Sequence, residues 1–70
     1  MSTKKQFFVN GHKFCIDVDI TLSDLLNYFN YTTSFFVLEH NSSICNKTQW
    51  NKIFIIDKDK IEIVTIVGGG

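Results

Sequence analysis

Gln6-Phe7-Phe8-Val9-Asn10-Gly11-His12-Lys13-Phe14-Cys15-Ile16-Asp17 decides how the rest of the chain is read. Asn-Gly suits a two-residue hairpin turn, because both of its positions need positive φ. Apolar residues alternate on either side of it. Phe7 and Val9 precede the turn, Phe14 and Ile16 follow it, and Lys13, Cys15 and Asp17 fall on the opposite face. A period of two is the mark of a half-buried strand. The stretch therefore reads as a β-hairpin whose Phe7, Val9, Phe14 and Ile16 enter one core.

Downstream the period changes. Thr21-Leu22-Ser23-Asp24 has the pattern of a helix start, with Thr21 accepting from backbone amides and Asp24 reaching back in a weaker form of the capping box. Leu22, Leu25, Leu26 and Phe29 then fall at i, i+3, i+4 and i+7, one apolar stripe at helical period. The helix is expected to end near Asn30, ahead of the β-branched Thr32 and Thr33. Ser34 to His40 reads as a third strand, with Phe36 and Leu38 on one face and Phe35, Val37 and Glu39 on the other. Asn41-Ser42-Ser43 is a turn, and Ile44 to Trp50 is irregular with a helical turn around Lys47 to Trp50. Lys52 to Ile56 is a short strand, Asp57-Lys58-Asp59-Lys60 a polar turn, and Ile61 to Val67 the last strand.

The order is hairpin, helix, strand, short strand, strand. One helix must bury its stripe on one sheet face, and the last strand can lie parallel to the first in the middle of the sheet. That is an α+β β-grasp, a mixed sheet of four to five strands packed on one helix. Residues 1–70 read as a single domain, with 68–70 a flexible glycine tail.

Composition narrows the function classes. Seventy residues carry seven basic and seven acidic side chains, for a formal net charge of zero. Every basic residue is lysine, so neither the bidentate phosphate fork of arginine nor a basic stripe for nucleic acid is present. No apolar run approaches the roughly 20 residues of a membrane span, and no signal region follows Met1 to Lys5. Cys15 and Cys45 lie outside any Cys-x-x-Cys pattern and read as reduced thiols. His12 and His40 lack metal-ligand spacing and are expected at exposed strand ends. Trp50 is expected as a cap over the core. Asp57 and Asp59 are expected in a solvated turn, with too few neighbouring oxygens for a cation. No catalytic constellation and no metal site stand out, so the chain is not read as an enzyme.

The three terminal glycines admit two readings on their own. A side-chain-free tail ending in a carboxylate can thread a channel too narrow for any Cβ, and a glycine-rich end can equally be frayed or appended. Further stretches bear on the choice. Val9-Asn10-Gly11, Thr21 to Leu26, Asn41 to Trp50 with Ile44 and Trp50 in place, Asp57 to Val64, and Val67-Gly68-Gly69-Gly70 together resemble the small ubiquitin-like sulfur carriers of bacteria and plastids. Among these the chain most resembles the ThiS family, the carriers of thiamine thiazole synthesis. The likeness runs from Phe7 onward. Ser42 stands where the family has a turn glycine, Cys45-Asn46-Lys47 where it has Val-Pro-Arg, and Lys58 where it has a glycine, so that a different turn is expected there.

The resemblance implies that the Gly70 carboxylate is adenylated and becomes a thiocarboxylate that donates sulfur to thiazole synthase (ThiG-like). It implies as partners an adenylating activating enzyme (ThiF-like) and a sulfur donor such as a cysteine desulfurase. No cofactor would be bound, ATP being used by the activating enzyme, and Gly68 and Gly69 would thread the tail. The chain would be a protein co-substrate in the cytoplasm, or in the plastid stroma if plastid-encoded. The alternatives are the small subunit of molybdopterin synthase, a ubiquitin-like modifier, and an interaction module with an added glycine end. Phe35, Val37, Val64 and Ile66, on the outer sheet face beside the tail, are the candidate docking residues.

Overall fold

The computed structural model describes residues 4–30 and 36–65. Its strands are β1 (Lys5–Val9), β2 (His12–Ile16), β3 (Phe36–His40), β4 (Ser43–Ile44) and β5 (Lys60–Thr65). The helix α1 spans Leu22–Tyr28, and a 3₁₀ turn spans Lys47–Gln49. The sheet order is β2-β1-β5-β3-β4, so the last strand occupies the centre. It runs parallel to β1 and antiparallel to β3, as the hairpin-first reading requires.

The hairpin closes as its sequence demands. Asn10 and Gly11 take φ of 51° and 83°, and Val9 pairs with His12. Phe7 and Val9 are buried, and Phe14 and Ile16 pack against the same core while partly exposed. The helix start is a complete capping box. Thr21 Oγ1 accepts from the Asp24 amide at 3.1 Å, and Asp24 Oδ2 accepts from the Thr21 amide at 3.0 Å. Leu22, Leu25 and Leu26 are buried, and Phe29 packs edge-on to Phe14 at 5.5 Å. Asn30, just past the helix, adopts φ 62°, the left-handed stop that Asn tolerates.

Two expectations need correction. Ser43 is not part of the turn: Asn41 and Ser42 alone make it, and Ser43–Ile44 pair with β3 as a short edge strand. Lys52 to Ile56 is not a sheet strand. Its one bridge is Phe54 to Thr21, flanked by hydrogen bonds from the Leu22 amide to the Ile53 carbonyl and from the Ile55 amide to the Ile20 carbonyl. The segment pairs with the loop ahead of α1, and only Ile55 is fully buried. It thereby ties the helix start to the sheet.

Candidate functional site

The tail follows β5, so the site is built on how that strand is held. Ile61 and Ile63 are buried against the helix side, while Glu62 and Val64 point to the open face. β3 pairs with β5 from Phe36–Thr65 to His40–Ile61. β1 ends at Val9 and pairs only with the first residues of β5. Beyond that point the Asn10 side chain continues the ladder, its Oδ1 accepting the Ile63 amide at 2.7 Å.

The start of β5 is held by Asp59, which is only 2% exposed. Its Oδ2 accepts from the Ile56 amide at 2.9 Å and lies 2.9 Å from His40 Nε2, while its Oδ1 accepts from Asn41 Nδ2 at 3.0 Å. Asn41 in turn accepts the Lys60 amide on Oδ1 at 2.8 Å and donates its own amide to the Lys60 carbonyl at 2.7 Å. The Asp59 carbonyl receives the Phe8 amide of β1. Burial pushes the Asp59 carboxyl up, but the hydrogen bonds from Ile56, His40 and Asn41, with attraction to the His40 ring, outweigh it and hold the group below the ordinary carboxylate range.

Two sequence expectations fail here. Asp59 is not a solvated turn residue: the turn folds it inward, where it caps three donors. His40 is not an exposed strand-end histidine, because its side chain is 22% exposed and bonded to Asp59. Asp57 does stay exposed and accepts the Gln6 amide at 2.7 Å. Sequence reasoning missed the His40–Asn41–Asp59 network because each residue alone has turn chemistry. The readable signal was polar His-Asn closing one strand and Asp opening its neighbour.

Trp50 and His12 fall as expected. Trp50 stacks on Phe36 at 5.2 Å and donates its ring N–H to the Cys45 carbonyl at 3.1 Å, a cap over the core edge. Both cysteines are free thiols, and burial pushes that of Cys45 up, the opposite of an activated nucleophile. His12 is exposed on β2. Among the described residues no group of His, Cys, Asp or Glu is placed to hold a metal ion, and no helix is long and apolar enough to cross a membrane. Lys58 and Ser42 both take φ 73°, the left-handed region that favours glycine, so the turn expected to change at Lys58 has a backbone that a glycine would suit.

Of the candidate docking residues, Val37 and Val64 face each other directly across β3 and β5 on the open face, Val64 being 49% exposed. Phe35, Ile66, Gly68, Gly69 and Gly70 lie outside the described residues.

The ThiS family model matches residues 7–70. The chain belongs to the ThiS family. Its relatives include the uncharacterised protein ycf40 of Trieres chinensis, 57% identical over 70 residues, which cover all of this chain and 96% of that protein. The ycf40 protein of Porphyra purpurea is 37% identical over 89% of this chain and 87% of its own length. The sulfur carrier protein ThiS of Bacillus subtilis (strain 168) is 36% identical over 50 residues, 71% of this chain and 76% of that one. In fold, the chain matches the crystal structure of the thiamine biosynthesis protein ThiS of Geobacter metallireducens. The TM-score is 0.78, covering 93% of this chain and 99% of that one at 20% identity.

Proposed function

We propose that this ThiS-family chain is a sulfur carrier whose reactive group is the Gly70 carboxylate. The observation that carries the reading is the reach of the family match, which runs through the last residue and so includes Gly68-Gly69-Gly70. The 36% identity to a sulfur carrier protein ThiS supports it.

The chemistry follows from the end group. An α-carboxylate has a pKa of about 3.5 and is ionised at neutral pH. It attacks the α-phosphorus of ATP in an adenylating enzyme, pyrophosphate leaves, and Gly70 becomes an acyl-adenylate. A persulfide sulfur from a donor such as a cysteine desulfurase attacks the acyl carbon and expels AMP. A thiol then cleaves the resulting acyl disulfide, leaving the thiocarboxylate, which passes its sulfur to thiazole synthase. The chain contributes no catalytic group. It contributes a carboxylate on a stem without side chains, because backbone must approach the nucleotide closely. The compartment proposed with it is a reducing one, the cytoplasm or the plastid stroma.

The test is an intact mass. The protein is incubated with ATP, the adenylating enzyme, a sulfur donor and a thiol. Exchange of one terminal oxygen for sulfur adds about 16 Da, lost again when Gly70 is removed, since the thiocarboxylate needs that terminus. Unchanged mass with an enzyme that activates its own carrier refutes the reading.

A further inference from the structure

β2 and β4 are the two edges of the sheet. β4 is two residues long and β2 five, so β2 is the edge with length enough to pair again. Val9 and His12 flank the two-residue turn as a hydrogen-bonded pair, so His12, Phe14 and Ile16 turn their N–H and C=O groups toward β1. Those of Lys13 and Cys15 point outward and take no backbone partner among the described residues. Such an edge is a template for another strand unless a proline, a bulge or a covering element blunts it. β2 has no proline and pairs with β1 without a bulge.

Beside this edge the core is not closed. A groove of about 350 Å³ runs between β2 and α1, lined by Phe14, Ile16, Val18, Ile20, Leu25 and Phe29. At its mouth Val18 is 58% and Tyr28 78% exposed. Rings lead inward from there, Tyr28 on Phe29 at 5.3 Å, Phe29 on Phe14 at 5.5 Å and Phe14 on Phe7 at 5.8 Å. The occupant is read from the charges of the strand itself. Laid antiparallel to a second copy with Cys15 on the two-fold axis, β2 sets Phe14 opposite Ile16 of the other copy on the core side. On the other side it sets Lys13 opposite Asp17, the residue after the strand. Symmetry makes each pair twice. Moving the axis to Phe14 sets Lys13 opposite Cys15 and Asp17 opposite Gly11, and both charge pairs are lost. Moving it to Ile16 demands extended chain beyond Ile16, where β2 ends. Asp17 is already engaged within its own chain, and an ionised carboxylate has acceptor sites enough for a second cation.

We propose that β2 pairs antiparallel with β2 of a second copy, in the register centred on Cys15, joining two five-stranded sheets into one across a two-fold axis. The outward backbone groups of Lys13 and Cys15 then find partners, and two Lys13–Asp17 pairs fix the register. Both helices lie on the same side of the joined sheet, where Val18 and Tyr28 of the two copies cover the Phe14 and Ile16 row. The two Cys15 residues form a hydrogen-bonded pair with Cα atoms about 5.5 Å apart, inside the span of a disulfide. β1 stands between this interface and β5, so the dimer leaves the strand ahead of the tail untouched and does not depend on the sulfur-carrier reading.

The experiment is sedimentation velocity of the full, reduced chain from about 1 µM to about 1 mM, the range of small interfaces. The wild type passes from monomer to dimer. Lys13→Asp and Asp17→Lys each set like charges opposite each other twice, and each weakens the dimer Kd about tenfold at low salt. An equal mixture of the two variants returns to wild-type association, because the mixed dimer holds two opposite-charge pairs. Mixing does not mend a fault within one chain, so the recovery reports the register and not the fold. Where circular dichroism shows a variant unfolded, the wild-type thiols decide. Diamide takes two electrons and two protons from the facing Cys15 pair, and peptide mapping finds a Cys15–Cys15 bond between copies. A chain still monomeric at about 1 mM overturns the proposal and leaves the edge to a different partner. A dimer indifferent to Lys13→Asp, variants that stay apart when mixed, or a dimer crosslinked through Cys45 instead of Cys15 overturns it as well.

Discussion

Replacing Asp59 with alanine separates a buried structural carboxylate from an ordinary turn residue. The wild-type side chain is 2% exposed and serves the Ile56 amide, His40 Nε2 and Asn41 Nδ2. Hydrogen bonds to a charged acceptor are worth about 1.5–3 kcal/mol each, and a buried donor left without a partner costs about 1–3 kcal/mol. His40 and Asn41 lie near enough to solvent to recover part of their loss, and the carboxylate no longer has to be desolvated. The net cost of Asp59→Ala is therefore about 3 kcal/mol, not the sum of three bonds. For a domain of this size that lowers Tm by roughly 12–24 °C, read by far-UV circular dichroism and by the urea midpoint. The pH dependence carries the second half of the test. The folded carboxyl titrates below its unfolded value of about 3.9, so its contribution is complete above that pH and disappears as pH falls from there through the folded value. Asp59→Asn destabilises at neutral pH and shows a flatter stability curve in that acid window. A drop of less than about 1 kcal/mol for Asp59→Ala, or an acid limb unchanged in Asp59→Asn, refutes the reasoning.

Asn10→Gly keeps the turn but removes the acceptor of the Ile63 amide, and should cost about 1 kcal/mol, whereas Asn10→Ala adds left-handed strain and should cost about 2 kcal/mol; urea midpoints give both, and hydrogen exchange at Ile63 accelerates in each. Ser42→Gly and Lys58→Gly relieve non-glycine residues held at φ 73°. Each should stabilise by about 0.5–1 kcal/mol, offset in part by the looser unfolded chain, visible as a higher Tm. Deleting Gly69 and Gly70 should leave Tm within about 1–2 °C, as is usual when a chain terminus is trimmed, while abolishing the 16 Da mass gain (about one O-to-S exchange).

The sequence made the hairpin, the helix and the central place of the last strand legible because each has a strong local signature. Asn10-Gly11 has its two positive φ angles, Thr21 and Asp24 their reciprocal caps, and Leu22, Leu25 and Leu26 their helical spacing. Lys52 to Ile56 has the composition of a strand and the backbone of one, but its partner is the loop at Ile20 to Leu22. Nothing local distinguishes pairing with a loop from pairing with a sheet. Ser42 and Lys58 are departures from glycine in sequence, yet both adopt a left-handed backbone that flanking contacts hold: Asn41 binds Lys60 on one side, and the Lys58 amide binds the Gln6 carbonyl on the other. Of the candidate site, the tail was legible as a motif and Val37 and Val64 as a face. The Asp59 network was not, because it unites residues 19 positions apart whose separate signals all say turn.

Three polar side chains do the work of backbone around β5. Asn10 takes the Ile63 amide where β1 has ended, Asn41 takes the Lys60 amide where β3 gives way to its turn, and Asp59 takes the Ile56 amide just ahead of the strand. A central strand needs both of its hydrogen-bonding edges filled, since an unpaired buried amide costs as much as a lost bond. Both turns that border β5 are tight, and tight turns leave too little backbone to finish the ladder. Asn and Asp suit these places twice over, because they tolerate or favour turn geometry and carry an acceptor at the reach of a carbonyl. The result is a strand clamped along its first four residues, Lys60 to Ile63. A load applied at the end of β5 is then taken up by the ladder with β3 and by these side chains.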